Sequence, residues 1–272
     1  MSDLPPDLLA TLDELGVAVE RTWREASRAY GAAVGSNGRL FFRHSDDLAD
    51  HPRFDFEARI RLAIGGDGLL RAPAVLRRGP GWMVEQWVER EPCQGAAAMR
   101  AVADASLEVS GLVLPPRADA PTTGGNARRL RPSVFLTPFL LDALRMRRLL
   151  RSSALPRVTS HGDFHPNNVY WSAGSVWAFD WELATQAPLG VDALRFWCSM
   201  PDADDRAELF ERLVEGVGRA HRPALLQLRY AVLVRTLAGA RANRAAFDRD
   251  TALADRLTAL LPAARREAVS RA

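Results

Sequence analysis

His161-Gly162-Asp163-Phe164-His165-Pro166-Asn167-Asn168 runs into Val169-Tyr170-Trp171, turns at Ala173-Gly174, and returns through Val176-Trp177-Ala178-Phe179 to Asp180-Trp181-Glu182. The first eight residues are polar and carry Gly and Pro, so they read as a loop. The two apolar runs that follow, joined by a short turn, read as a hairpin. A hairpin of that length folds Asp180 back beside Asp163 and Asn168. Two carboxylates and one amide oxygen then share one place. Such hard oxygen donors suit Mg²⁺, which keeps several waters and is usually shared with substrate phosphates. A carboxylate left over can accept or orient a hydroxyl proton. Metal clamp, positioned nucleophile and little covalent chemistry by the protein are the requirements of phosphoryl transfer.

Outward from this segment the chain changes character twice. Upstream, Val17–Trp23, Tyr30–Val34 and Arg39–Phe42 are short strand-like runs, and Gly35-Ser36-Asn37-Gly38 is a hairpin turn. Gly31, Gly35 and Gly38 have the wrong spacing for a dinucleotide fingerprint. Residues 54–64 have a helical pattern stopped by Gly65, Gly66 and Gly68. Ala74–Leu76 and Trp82–Val88 read as two more strands around Gly79-Pro80-Gly81. With a short helix expected over 4–16, the first 88 residues predict a small sheet crossed by one helix. From Glu91-Pro92 onward the pattern is mostly helical: an Ala-rich run over 95–110, a Pro- and Gly-bearing loop, a helix opened by Thr137-Pro138 and running to about Arg151, and three or four helices after 190. The expected class is α+β, divided as residues 1–88 and 89–272.

Composition narrows the chemistry. The 272 residues carry a net charge of +3, and all 36 basic residues are arginine. Without lysine there is no Walker-type phosphate loop and no pyridoxal Schiff base. The charge is too small to imply nucleic acid. Cys93 and Cys198 form no metal or disulfide pattern, which fits a reducing, cytoplasmic location. Nothing reads as a signal peptide, and no run of about 18 apolar residues suggests a membrane span. His161-x-Asp163-x-His165 could begin a zinc site, but no further ligands have paired spacing. Seven arginines between Arg128 and Arg151 stand against one acid, Asp142, and read as a solvated helix face. Six acids between Asp202 and Glu215 read as an acid-rich helix start.

The segment HGDFHPNNV with FDWE after it resembles the catalytic and metal loops of the aminoglycoside phosphotransferase and choline kinase-like family, which has the protein kinase-like fold. That resemblance implies a small antiparallel amino-terminal lobe and a larger helical lobe. It makes Asp163 the catalytic residue facing the acceptor hydroxyl, and Asn168 and Asp180 the Mg²⁺ ligands. Glu182 becomes a second-metal or substrate contact. Asp192 becomes the brace of the catalytic loop. His161 holds that loop by hydrogen bonding. His165 is read first as a packed loop residue and second as a substrate contact. Arg43 stands where most protein kinases have a phosphate-binding lysine, with Glu57 as its partner. Gln86 to Val88 resembles the hinge that meets the nucleobase. Residues 24–30 occupy the phosphate-covering turn, where Ser27 would make a contact that glycines make elsewhere. The implied activity is transfer of the γ-phosphate of ATP (GTP not excluded) to a hydroxyl of a small molecule: an aminoglycoside, a sugar, an amino alcohol or a related metabolite. Monomer and homodimer are both compatible. A kinase-like module that binds nucleotide or metabolite with little turnover is the other reading, motivated by the Gly-free turn and by Arg43.

Overall fold

The computed structural model describes residues 4–36, 38–116, 153–242 and 259–267, together with 148 and 151. Its first part contains α1 (Pro6–Glu14), β1 (Val17–Glu25), β2 (Arg28–Gly35), β3 (Gly38–Ser45), α2 (His51–Ala63), β4 (Leu70–Arg71), β5 (Val75–Gly79) and β6 (Trp82–Gln86). Five of these strands form one antiparallel sheet in the order β1-β2-β3-β6-β5.

Strand alternation gives this sheet two different faces. Phe42, Trp82 and Val84, with Ala33, pack against Leu8 and Leu12, one turn apart on α1. Gly31 lets Phe42 lie flat there, since a Cβ at 31 would stand 2.2 Å from the Phe42 ring. The opposite face carries Met83, which meets Phe54 and Ala58 of α2, and the charged pair Arg43 and Glu85. The other side of α2 sends Phe56 and Ile60 into the large core of the carboxy-terminal part. One helix is thus wedged between two packing units. It begins three residues earlier than its periodicity predicts, because Pro52 occupies its first turn and a single 3₁₀ turn, capped by Asp47, leads into it.

The second part contains α3 (Gly95–Ser110), β7 (Arg157–Ser160), β8 (Val169–Ser172), β9 (Ser175–Ala178), β10 (Thr185–Pro188), α4 (Val191–Ser199), α5 (Ala203–Val217) and α6 (Arg222–Ala242). Residues 259–267 are also helical. The hairpin read around Ala173-Gly174 is β8 and β9. Three short strands have no counterpart in the sequence reading. β7 and β10 pair with each other, Ser160 opposite Thr185, and close the stretch that holds both functional loops. β4 leaves the first part to pair in parallel with β9, Leu70 opposite Val176. Strands of two to four residues are too short to show a period.

One expected loop is mostly strand. Residues 24–30 were assigned above to a turn, but β1 and β2 stay paired up to Glu25 opposite Arg28. Only Ala26 and Ser27 turn, with Ala26 at φ 54. A cross-strand contact supports the pairing: Trp23 stacks on Tyr30 with centroids 6.0 Å apart, while Arg24 reaches past β2 to Asp46, just beyond β3. The helix expected over 137–151 and the arginine-rich stretch lie outside the described residues except for 148 and 151, as does Asn37 of the expected hairpin turn. Among the described residues no helix is long and apolar enough to cross a membrane.

Candidate active site

Two loops meet at the base of the cleft between the sheet and the helical part. The first, residues 161–168, follows β7. Asp192, on the first turn of α4, holds its start: one carboxylate oxygen accepts from Ser160 Oγ at 2.7 Å and the other from the His161 N–H at 2.8 Å. Gly162 is required by the close passage of the second loop. Its φ is +81, and a Cβ there would lie 2.0 Å from the Leu183 carbonyl oxygen. His161 then ties the loops together. Its Nδ1 accepts from the Asp163 N–H, which leaves the proton on Nε2 to donate to the Phe179 carbonyl at 2.8 Å. The ring lies 4.4 Å from Trp181. Burial pushes its pKa down to about 4, so it is a neutral structural link.

Asp163 sits among donors. Arg195, one turn after Asp192 on α4, places Nη2 2.7 Å from Oδ1. His165 Nε2 is 3.2 Å from Oδ2, and Asn168 Nδ2 is 3.1 Å from the same oxygen. Burial alone would raise the Asp163 pKa, but the His165 hydrogen bond and the Arg195 charge outweigh it and hold the group below its ordinary value. Arg195 was not anticipated. The signal was its spacing: Asp192 and Arg195 are i and i+3, so one helix face presents both to the loop.

Asp180 is the opposite case. It ends the hairpin in the left-handed region at φ 59. Its Oδ1 is buried without a hydrogen-bond partner. Burial first, and then the charges of Glu57 and Glu182, raise its pKa to about 7 against the weaker pull of Arg43. The hairpin register places Asn168 next to it, the Phe179 N–H donating to the Asn168 carbonyl at 2.9 Å. The Asn168 amide nitrogen is spent on Asp163 Oδ2 and on the Asp163 carbonyl, so its side-chain oxygen is the end left to act as a ligand. An orphaned, buried carboxylate oxygen, excess negative charge and an amide oxygen one hairpin position away fit a divalent cation. Among the described residues no group of three or more His, Cys, Asp or Glu could hold a metal. An ion held here would need ligands beyond these side chains.

Above this floor, Arg43 on β3 and Glu57 on α2 are 2.5 Å apart and both buried. Glu57 also accepts from Arg61 at 2.5 Å and from the Trp181 backbone, and Arg61 meets Glu85 of β6. Two cations and two anions therefore balance inside the fold. Glu57 thereby joins the sheet, its own helix and the loop that follows β9. Burial opposes ionisation of Glu57, but Arg43 and Arg61 pull its pKa down to about 2. Arg61 was missed because its i,i+4 pairing with Glu57 on a helix ordinarily reads as a solvated face, and Glu85 because its partner comes from a different element. The Arg43 Nε is buried and makes no hydrogen bond. A cavity of about 310 Å³ opens beside Glu85, lined by Trp23, Phe41, Gln86, Val88 and Phe179 among others. Gln86 is fixed by its N–H to the Ala74 carbonyl at 2.9 Å. Ser27 gives its carbonyl to the Asp46 N–H and Ser45 Oγ. Glu182 is bound by Arg28 at 2.7 Å across the cleft.

This constellation, on a small antiparallel sheet above a helical body, has the protein kinase-like architecture. Residues 25–230 match the model of the phosphotransferase enzyme family APH, and the chain belongs to that family. Solved structures show the same fold. A macrolide 2'-phosphotransferase, MphH, from Brachybacterium faecium is 15% identical over 94% of this chain and 98% of its own, with a TM-score of 0.65. A thermostable mutant of aminoglycoside phosphotransferase APH(4)-Ia, in complex with ADP and hygromycin B, is 14% identical over 95% and 97%, with a TM-score of 0.64. An ethanolamine kinase of Plasmodium vivax is 10% identical over 98% and 87%, with a TM-score of 0.63. No curated protein matches the sequence.

Proposed function

We propose that the chain is an ATP-dependent small-molecule kinase, transferring the γ-phosphate to a hydroxyl of its acceptor in the cleft between residues 1–88 and 89–272. The observation that carries this reading is the pairing of an ionised Asp163, ringed by donors, with an adjacent Asp180 whose buried oxygen has none. The nucleobase would occupy the cavity between Phe41 and Phe179, against Gln86 and Val88. Arg43, fixed by Glu57, directs positive charge toward the phosphates. Ser27 lies in the turn above them.

Asn168 and Asp180 would hold Mg²⁺, which supplies charge neutralisation on the phosphates when bound. Asp163 has one carboxylate lone pair beyond those used by Arg195, His165 and Asn168. It accepts a hydrogen bond from the acceptor hydroxyl and aims its oxygen along the line of attack. With its pKa held low, Asp163 is a weak base before the reaction. It takes the proton only as the new P–O bond forms, which suits a loose transition state that needs little early deprotonation. His161 and Asp192 hold the loop, and His165 holds Asp163. The test is product formation with ATP and magnesium over a panel of hydroxylated acceptors: phosphorylation of any acceptor that disappears in Asp163→Asn supports the proposal. Thermal stabilisation by ATP with no product on any acceptor favours instead a nucleotide-binding module, the reading to which the Arg195–Asp163 pair lends weight.

A further inference from the structure

Arg28 opens β2, directly after the two-residue turn at Ala26-Ser27. It shares a strand face with Tyr30, the electrostatic neighbour of Arg43 and Asp180. Its guanidinium is held at one end by a bidentate pair with Asp50: Nε to Oδ2 at 2.9 Å and Nη2 to Oδ1 at 2.8 Å. Asp50 is itself fixed by Ser45 Oγ at 2.9 Å and Arg53 at 3.0 Å. The Phe54 ring backs the guanidinium at 5.6 Å. Its remaining reach crosses the cleft to Glu182, two residues past Asp180, at 2.7 Å. Arg28 is therefore a cation mounted rigidly on the upper part, with one exchangeable partner on the lower part. Asp50 keeps its ion pairs with Arg28 and Arg53 and its hydrogen bond from Ser45 whether or not Glu182 is engaged.

We propose that Arg28 is a phosphate-binding residue held in check by Glu182: the polyphosphate tail of the nucleotide replaces the Glu182 carboxylate on the guanidinium and frees Glu182. This rests on the nucleotide-dependent reading above. The physical basis is competition between two anions for one fixed fork. A guanidinium pre-set by Asp50 loses little freedom when it takes a phosphate bidentately. Such an arrangement does the work of a Gly-rich loop without backbone N–H groups, and places a cation where the turn at Ala26-Ser27 has only one short hydroxyl side chain to offer.

The test is a double-mutant cycle read by calorimetric binding of ATP and of adenosine, both with magnesium present. Arg28→Met is expected to weaken ATP by roughly tenfold or more while adenosine binding stays within about twofold, which also shows that the variant is folded. Glu182→Gln is expected to tighten ATP several-fold, and this gain is expected to vanish in the Arg28→Met background. ATP binding unchanged by Arg28→Met, or a Glu182→Gln effect of the same size in both backgrounds, or weaker ATP binding in Glu182→Gln, overturns the exchange and leaves the kinase reading standing. A wild-type chain that binds neither ATP nor adenosine overturns both.

Discussion

Asp163 and Asp180 face the same cleft from neighbouring loops, yet their surroundings are inverted. Asp163 has a guanidinium, an imidazole and an amide around it. Asp180 has buried walls and two other carboxylates acting on it, and one of its oxygens meets no donor. On the proposed reading the contrast separates two tasks. A carboxylate that would aim a neutral hydroxyl is held in place beforehand by the protein. A carboxylate that would grip a dication is left short of partners, so that an ion could supply what the fold withholds.

The sharpest attack on this contrast is Asp163→Asn. The amide keeps the shape but loses the charge that Arg195 and the acceptor hydroxyl require. Turnover is expected to fall by about 10³-fold or more, with the ATP dissociation constant within about twofold of wild type, measured by steady-state kinetics and calorimetry. A variant retaining full turnover would remove Asp163 from the reaction.

His161 links the two loops, and its neutrality has a pH signature. Its pKa lies near 4 when folded and near 6.5 when unfolded. Between those values the unfolded chain binds more protons, so stability rises with pH across that window and the contribution is lost as pH falls from about 6.5 to 4. The full effect is on the order of 3 kcal/mol. Denaturant titrations at several pH values should show it, and His161→Gln should flatten the slope. An unchanged slope in that variant would mean that other groups carry the pH dependence.

Arg195→Met tests the crowding around Asp163. Loss of one charge-assisted bond to a partly exposed group predicts kcat lower by roughly tenfold, with the KM for ATP little changed, and partial recovery in Arg195→Lys. A change confined to KM for ATP would contradict a role in aiming Asp163. Asp180→Asn tests the emptiness around its neighbour. In EDTA at pH 8 it removes a charge crowded by Glu57 and Glu182, and the melting free energy is expected to rise by about 1 kcal/mol. The same variant should lose the stabilisation that magnesium and ATP together give the wild type. A variant less stable in EDTA would show that Asp180 has partners enough without an ion.

The sequence made the floor of this site readable and its walls much less so. Asp163, Asn168 and Asp180 lie within 18 positions joined by one hairpin, so local turn chemistry alone brings them together. Arg28, Arg61, Glu85 and Arg195 are positioned by packing between distant elements, and each looks like an ordinary surface arginine or glutamate in isolation. The register of β1 and β2 was hidden for a related reason. Nothing local announces that Trp23 will stack on Tyr30 and carry the strands to Glu25 and Arg28. The short strands β4, β7 and β10 owe their existence to partners supplied from elsewhere in the chain.

The excursion of Leu70 and Arg71 into the sheet of the second part has a mechanical meaning. Before α3 the chain meets the second part at two places, once there and once near residues 87–91, where Glu91 bridges to Trp171. With α2, whose Phe56 and Ile60 lie in the large core, these contacts tie the roof to the floor at three places, so separating the halves would have to tear at least one of them loose.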